Sequence, residues 1–139
     1  MAAPIYLADT SVLVHQSRHP AVLDRFERLL VDGRLAICQA TALEFLNNAS
    51  SPSGYERIWA SLQIHRHFDV TAKAMDRALD VHRRLGALSQ HRDFSWPDLV
   101  IAATAEQNGA TVLHYDSDYD RIAAITGQPV EWVAPRGSL

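Results

Sequence analysis

Asp9, Glu44, Asp98 and Asp116 each stand where an apolar run ends or a helix begins, although they are scattered over more than a hundred positions. Acids so placed can meet in an open parallel sheet with helical crossovers, because strand carboxyl ends and adjoining helix starts converge on one crevice. Carboxylates gathered there repel one another unless a cation sits among them. Hard divalent ions such as Mg²⁺ take oxygen ligands, retain water, and need only one or two protein carboxylates each beside a substrate phosphate. Four convergent acids therefore suit one or two such ions.

Each acid also has a purely structural reading. Asp9 heads Asp9-Thr10-Ser11 and can cap the helix that follows, and Asp116 can cap one starting near Ser117. Thr41-x-x-Glu44 matches a capping box, in which the glutamate reaches back to the backbone amide of the cap. Asp98, directly after Pro97, would be stabilised by the helix dipole in a first turn. Four independent caps, all on the edge where this topology opens its crevice, are the less economical account. The roles are also compatible, since one carboxylate oxygen can accept an amide hydrogen while the other faces a metal.

Rival chemistries find little support. Asp116-x-Asp118-x-Asp120 begins like a calcium-binding loop, but Arg121 stands where that loop needs glycine and Gly127 where it needs glutamate. There is no Gly-x-Ser-x-Gly elbow, no His-Glu-x-x-His and no glycine-rich phosphate loop. His65-x-His67 has no cysteine cluster beside it and reads as an exposed pair or a helix-end charge. A receiver-like, Mg²⁺-binding phosphotransfer domain would want a lysine after a late strand, whereas the only lysine is Lys73, in a helical stretch.

The elements that must position these acids alternate along the chain. Ile5 to Ala8 is an apolar run broken by Asp9, which reads as strand, site, helix. Ala21 to Val31 has helical spacing at Val22, Leu23, Phe26, Leu29 and Leu30, with Asp32-Gly33 as its stop. Leu35 to Cys38 reads as a second buried strand. Thr41 opens a helix carrying Glu44, 50–54 is a turn, and a helix from about Tyr55 to Arg66 leads to the extended Phe68-Asp69-Val70. Thr71 to Leu85 predicts an amphipathic helix ending at Gly86. Ala87 to Ser95 is polar and aperiodic and reads as a flexible loop. Pro97-Asp98 then begins a strongly apolar helix, with proline in the first turn where its missing amide hydrogen costs nothing. Thr111 to His114 and Val130 to Val133 complete the strands. The alternation implies an α/β fold, a mostly parallel sheet of about four to five strands flanked by helices.

At 139 residues and 47% hydrophobic, the chain has the size of one domain, 1–139, able to bury a core without disulfides. Its one cysteine, Cys38, sits in the apolar run Leu35-Ala36-Ile37-Cys38 and reads as a buried, unreactive thiol suited to a reducing cytoplasm. The amino terminus does not read as a signal peptide, and no run is long enough to span a membrane. A net charge of −3 argues against coating nucleic acid by charge alone, but not against a nuclease that borrows positive charge from metal. Of the 13 basic residues only Lys73 is lysine, a bias that a GC-rich genome explains as readily as phosphate recognition.

Asp9-Thr10-Ser11-Val12-Leu13, the helical Glu44, Pro97 to Ala103, and Leu113-His114-Tyr115-Asp116-Ser117-Asp118-Tyr119, in that order, resemble the PIN-domain nucleases and, more narrowly, the VapC toxins. The resemblance covers essentially the whole chain and implies a PIN-like fold. It implies a catalytic quartet of Asp9, Glu44, Asp98 and Asp116, with Asp118 as an accessory metal ligand and Thr10 or Ser11 as a supporting hydroxyl. It further implies Mg²⁺, or Mn²⁺, and endoribonuclease activity by in-line attack of water, giving 5′-phosphate and 3′-hydroxyl ends. Two ions in such sites lie roughly 3.5–4 Å apart. Activity should fall at acid pH, because bunched carboxylates raise one another's pKa when metal is absent. The expected partners are RNA, a cognate VapB antitoxin that sets an arginine near the acids, and a second copy in a homodimer, with no membrane. His114 departs from the common pattern of a hydroxyl residue at that position and reads as a packed histidine at a strand end. Arg83, Arg84, His91 and Arg92 are the expected RNA contacts, with a solvated face as the plain alternative. A non-catalytic PIN-like module that binds RNA or protein is the remaining alternative from another class.

Overall fold

The computed structural model describes residues 3–139. Among these residues five strands form one parallel sheet: β1 (Tyr6–Ala8), β2 (Leu35–Cys38), β3 (Arg66–Phe68), β4 (Thr111–His114) and β5 (Val130–Trp132). Their spatial order is β3-β2-β1-β4-β5. The chain builds outward from β1 to β2 and β3, then returns to the other side of β1 for β4 and β5. The order therefore reverses between β1 and β4, and an open α/β sheet has its crevice at that point.

Among the described residues seven α-helices cover the two faces: α1 (Thr10–Gln16), α2 (Pro20–Val31), α3 (Gln39–Leu46), α4 (Pro52–Leu62), α5 (Ala72–Ala87), α6 (Trp96–Gln107) and α7 (Asp118–Thr126). The two-residue period of a strand divides the core between these faces. Tyr6, Ala8, Leu35, Ile37 and Leu113 pack with Val12, Leu13, Val22 and Phe26 of α1 and α2. Leu7, Ala36, Cys38 and Val112 face the other way, into Ala78, Leu85, Leu99, Ile101 and Ile122 of α5, α6 and α7. Because both faces are covered, β1, β2 and nearly all of β4 are buried without alternation, the pattern proper to parallel strands. Full burial of each Leu or Ile side chain contributes roughly 1.5–3 kcal/mol. Cys38 lies wholly inside, and burial pushes its thiol pKa up, as a structural cysteine requires.

Local chemistry sets the element ends. Gly33, at φ 67°, takes the left-handed conformation that closes α2, as Asp32-Gly33 predicts. The turn expected over 50–54 is partly helix. Ser51 accepts from the Gly54 amide at 3.0 Å, and Pro52 occupies the first helical position of α4. Helix α5 runs through Gly86 to Ala87, one residue beyond the expected stop.

The segment read as a flexible loop also carries structure. It contains a 3₁₀ turn at His91–Asp93 and is tied to α7 by Arg121. Arg121 donates to Gln90 Oε1 at 3.1 Å and to Asp93 Oδ2 at 3.0 Å, and its guanidinium lies 4.5 Å from the centre of the Phe94 ring. A polar sequence without period hides such an anchor, because its partner is nearly thirty residues away.

Candidate active site

Asp9 leaves β1, Asp116 follows β4, Asp98 lies in the first turn of α6, and Glu44 projects from α3. The fold brings these together at the carboxyl edge of the two central strands. One carboxylate oxygen from each of Asp9, Glu44 and Asp98 lies within 4.8 Å of the others, and the same is true of Asp98, Asp116 and Asp118. Asp98 belongs to both triads and joins them.

Three of the four acids are held by close hydrogen-bond donors from neighbouring turns. Asp9 caps α1: its Oδ2 accepts from the Ser11 amide at 3.1 Å and the Ser11 hydroxyl at 2.6 Å. The Ser11 oxygen in turn accepts from the Tyr115 amide at 2.9 Å, tying the β1–α1 turn to the β4–α7 turn. Thr10 donates its hydroxyl to Glu44 Oε1 at 2.9 Å. Asp116 Oδ1 accepts from the Asp118 amide at 2.9 Å. Both hydroxyls after the first acid are thus engaged, one on Asp9 and one on Glu44.

The capping-box reading of Glu44 does not hold. Helix α3 begins at Gln39, two residues before Thr41, and the Thr41 hydroxyl donates to the Ala8 carbonyl at 3.0 Å instead of capping the helix. Glu44 is therefore a mid-helix residue bound to Thr10 of a different element. Asp116 makes a local turn, with Ser117 as the residue at the cap of α7. Only Asp9 among the four serves as a helix cap through its side chain, and Asp98 has the first-turn position expected of it.

The charges are poorly compensated. Among the described residues no Arg, Lys or His pairs with Asp9, Glu44, Asp98 or Asp116; of the clustered acids Arg121 reaches Asp118 alone, at 3.9 Å. Burial, reinforced by the charges of Asp9, Asp116 and Glu44, pushes the pKa of Asp98 up to about 7. Burial likewise raises Glu44, opposed by the Thr10 hydrogen bond, and it raises Asp118, helped by Asp116. Such an all-oxygen donor set, short of positive charge, fits a hard divalent cation such as Mg²⁺ or Mn²⁺ and offers no soft ligand.

Two residues beneath the acids have contacts that their types alone do not announce. His114 is fully buried; its Nδ1 accepts from the Asp116 amide at 3.1 Å, and its ring lies 5.0 Å from those of Tyr119 and Trp132. It is the packed histidine expected at the end of β4, and desolvation lowers its pKa. Tyr119, also fully buried, donates its hydroxyl to Asp9 Oδ1 at 2.7 Å and lies 3.4 Å from Asp98 Oδ1. In sequence it is only the aromatic after Asp118. Its spacing from the buried Ile122 marks it as inward-facing, but nothing local reveals where a buried hydroxyl finds its acceptor. His65, which reads in sequence as half of an exposed pair or a helix-end charge, is instead buried, its ring edge-on to that of Phe26 in α2 at 5.5 Å.

The chain matches the PIN domain family over residues 6–125 and belongs to that family. Ribonuclease VapC18 of Mycobacterium tuberculosis is 41% identical over 137 residues, covering 97% of this chain and 99% of the relative. Ribonuclease VapC51 of the same organism is 43% identical over 134 residues, covering 96% of each. At that identity over nearly the whole length, the chain falls among the VapC ribonucleases of the PIN family. The fold agrees with DNA-bound VapBC from Salmonella typhimurium, with a TM-score of 0.76 at 18% identity over 95% of this chain and 100% of the other. It agrees equally with VapBC2 from Rickettsia felis bound to a promoter DNA fragment, at a TM-score of 0.75 and 19% identity over 92% and 98% of the two chains. Among the described residues no helix is long and apolar enough to cross a membrane.

Proposed function

We propose that this chain is a divalent-cation-dependent endoribonuclease, the toxin of a VapBC toxin–antitoxin pair, with Asp9, Glu44, Asp98 and Asp116 as its catalytic acids. The observation that carries the reading is the pair of carboxylate triads joined at Asp98, with no cation supplied by the quartet's own surroundings. Asp9, Asp98 and Asp116 would hold Mg²⁺ or Mn²⁺, Glu44 would complete the site, and Asp118 would assist at its outer side. Bound there, one or two such ions supply Lewis-acid activation of water and neutralise charge at the scissile phosphate.

The side chains of the chain itself do the positioning. Ser11 and Thr10 fix the orientations of Asp9 and Glu44 before substrate arrives, so little reorganisation accompanies binding. Glu44 has Oε1 held by Thr10 and lies in the triad with Asp9 and Asp98, where a carboxylate of raised pKa can take up a proton. Direct hydrolysis needs no 2′-hydroxyl attack, so the products carry 5′-phosphate and 3′-hydroxyl ends.

The relatives are named ribonucleases, which supports RNA as substrate, and the solved structures of like fold are VapBC assemblies, which supports a VapB antitoxin as partner. We place the protein in the cytoplasm as a homodimer built from one PIN domain per chain. The test is incubation of antitoxin-free protein with total RNA in Mg²⁺ and in EDTA, beside Asp9→Asn and Asp98→Asn. Cleavage by the wild type in Mg²⁺ alone, reduced at least a hundredfold in both variants, is the expected result. Equal cleavage in all samples refutes the reading, and RNA binding without cleavage at any cation concentration would assign a non-catalytic module instead.

A further inference from the structure

We propose that Tyr119 is a positioning residue of the cation site, its buried hydroxyl setting Asp9 against Asp98 in the arrangement that receives the ion. The inference rests on the functional reading above and deepens it.

The geometry is specific. Asp9 has a donor on each oxygen: the Ser11 amide and hydroxyl on Oδ2, and the Tyr119 hydroxyl on Oδ1 at 2.7 Å. With both oxygens engaged, rotation of the carboxylate about its last bond would break a hydrogen bond on either side. Oδ2 already accepts two hydrogen bonds from Ser11, so Oδ1, with Tyr119 as its one donor, is the oxygen that keeps a lone pair for a cation. The same hydroxyl lies 3.4 Å from Asp98 Oδ1, so it stands between two acids of one triad that come from different elements, β1 and α6.

Tyr119 is itself fixed. The residue is wholly buried, its ring lies 5.0 Å from that of His114 at an interplanar angle of 33°, and it belongs to the core formed with Leu7, Leu99 and Ile122. A hydroxyl on so constrained a ring is a rigid post on the inner side of the site, and the acids it touches are ordered before any ion binds. Partners that orient metal ligands typically change metal affinity 10–100-fold when removed. Unlike Ser11, which holds Asp9 from the adjoining turn, Tyr119 comes from α7 and couples the two halves of the crevice across 110 residues of sequence.

Tyr119→Phe removes only the hydroxyl and keeps the ring on His114, and circular dichroism would verify that the variant is folded. The measurement is Mn²⁺ affinity by calorimetric titration of wild type, Tyr119→Phe and Asp98→Asn, together with RNA cleavage as a function of Mn²⁺ concentration. The expected result is Mn²⁺ binding about tenfold weaker in Tyr119→Phe and abolished in Asp98→Asn. Cleavage by Tyr119→Phe should approach the wild-type rate once Mn²⁺ is raised about tenfold, a rescue that a purely structural defect would not show. A Tyr119→Phe affinity within twofold of wild type overturns the proposal, whatever the melting temperature does. Wild-type protein that binds no Mn²⁺ overturns the functional reading beneath it as well, and so distinguishes the two failures.

Discussion

Asp98 is the residue at which folding and the proposed function pull in opposite directions. Burial and three neighbouring acids raise its pKa to about 7, against an ordinary value near 3.8. The folded chain therefore keeps the Asp98 proton over a range in which the unfolded chain releases it. The associated stability is fully present below about pH 4 and is lost as pH rises towards 7. At pH 8 without metal the ionised carboxylate is a net burden. Asp98→Asn, of nearly the same shape, should raise the melting temperature in EDTA, and the gain should be larger at pH 8 than at pH 5. Partly buried His15 and buried His65 and His114 titrate in both proteins and largely cancel from the difference. Thermal unfolding of the two proteins at both pH values measures the effect; a gain that shrinks as pH rises would contradict it. The acids themselves were legible in the sequence because their positions at run ends are a local property. The Glu44 capping box misled because the spacing of Thr41 and Glu44 says nothing of where the helix starts, and Cys38 rather than Thr41 occupies the cap position.

At the scale of the elements, two turns make the site. Ser11 spans them: it donates to Asp9 after β1 and accepts the Tyr115 amide after β4. Ser11→Ala leaves that amide without its partner and leaves Asp9 Oδ2 with the backbone amide of residue 11 as its one donor, which should cost about 1–3 kcal/mol of stability. Denaturant unfolding would reveal the loss, together with reduced cleavage at limiting Mg²⁺; unchanged stability and activity would show the bridge to be dispensable. The other elemental feature is the Arg121 tie. Arg121→Ala removes an exposed ion pair and a contact with Phe94, together worth about 1 kcal/mol. Amide exchange should accelerate across 88–95 and not in β1 or β4, and uniform acceleration would place Arg121 in the global core instead. Strands and helices were readable from period and stop signals, because both express short-range geometry. The 88–95 tie and the burial of His65 were not, since each depends on a partner supplied by a distant element.

For the molecule as a whole, topology links sequence to chemistry. Reversal of strand order between β1 and β4 opens the crevice, and the two covered faces of the sheet give it a rigid floor. A net charge of −3 leaves attraction for RNA to local features and to bound cations, so cation binding would govern both stability and activity. A ligand that binds only the folded chain stabilises it by about 2.7 kcal/mol at a hundred times its Kd. Mg²⁺ or Mn²⁺ should thus restore at pH 8 what ionisation of Asp98 removes. The most direct test is calorimetric titration of Mn²⁺ into wild type, Asp9→Asn and Asp98→Asn at pH 8. The account predicts saturable binding to the wild type with loss of binding in both variants; equal binding by all three, or none by the wild type, would contradict it.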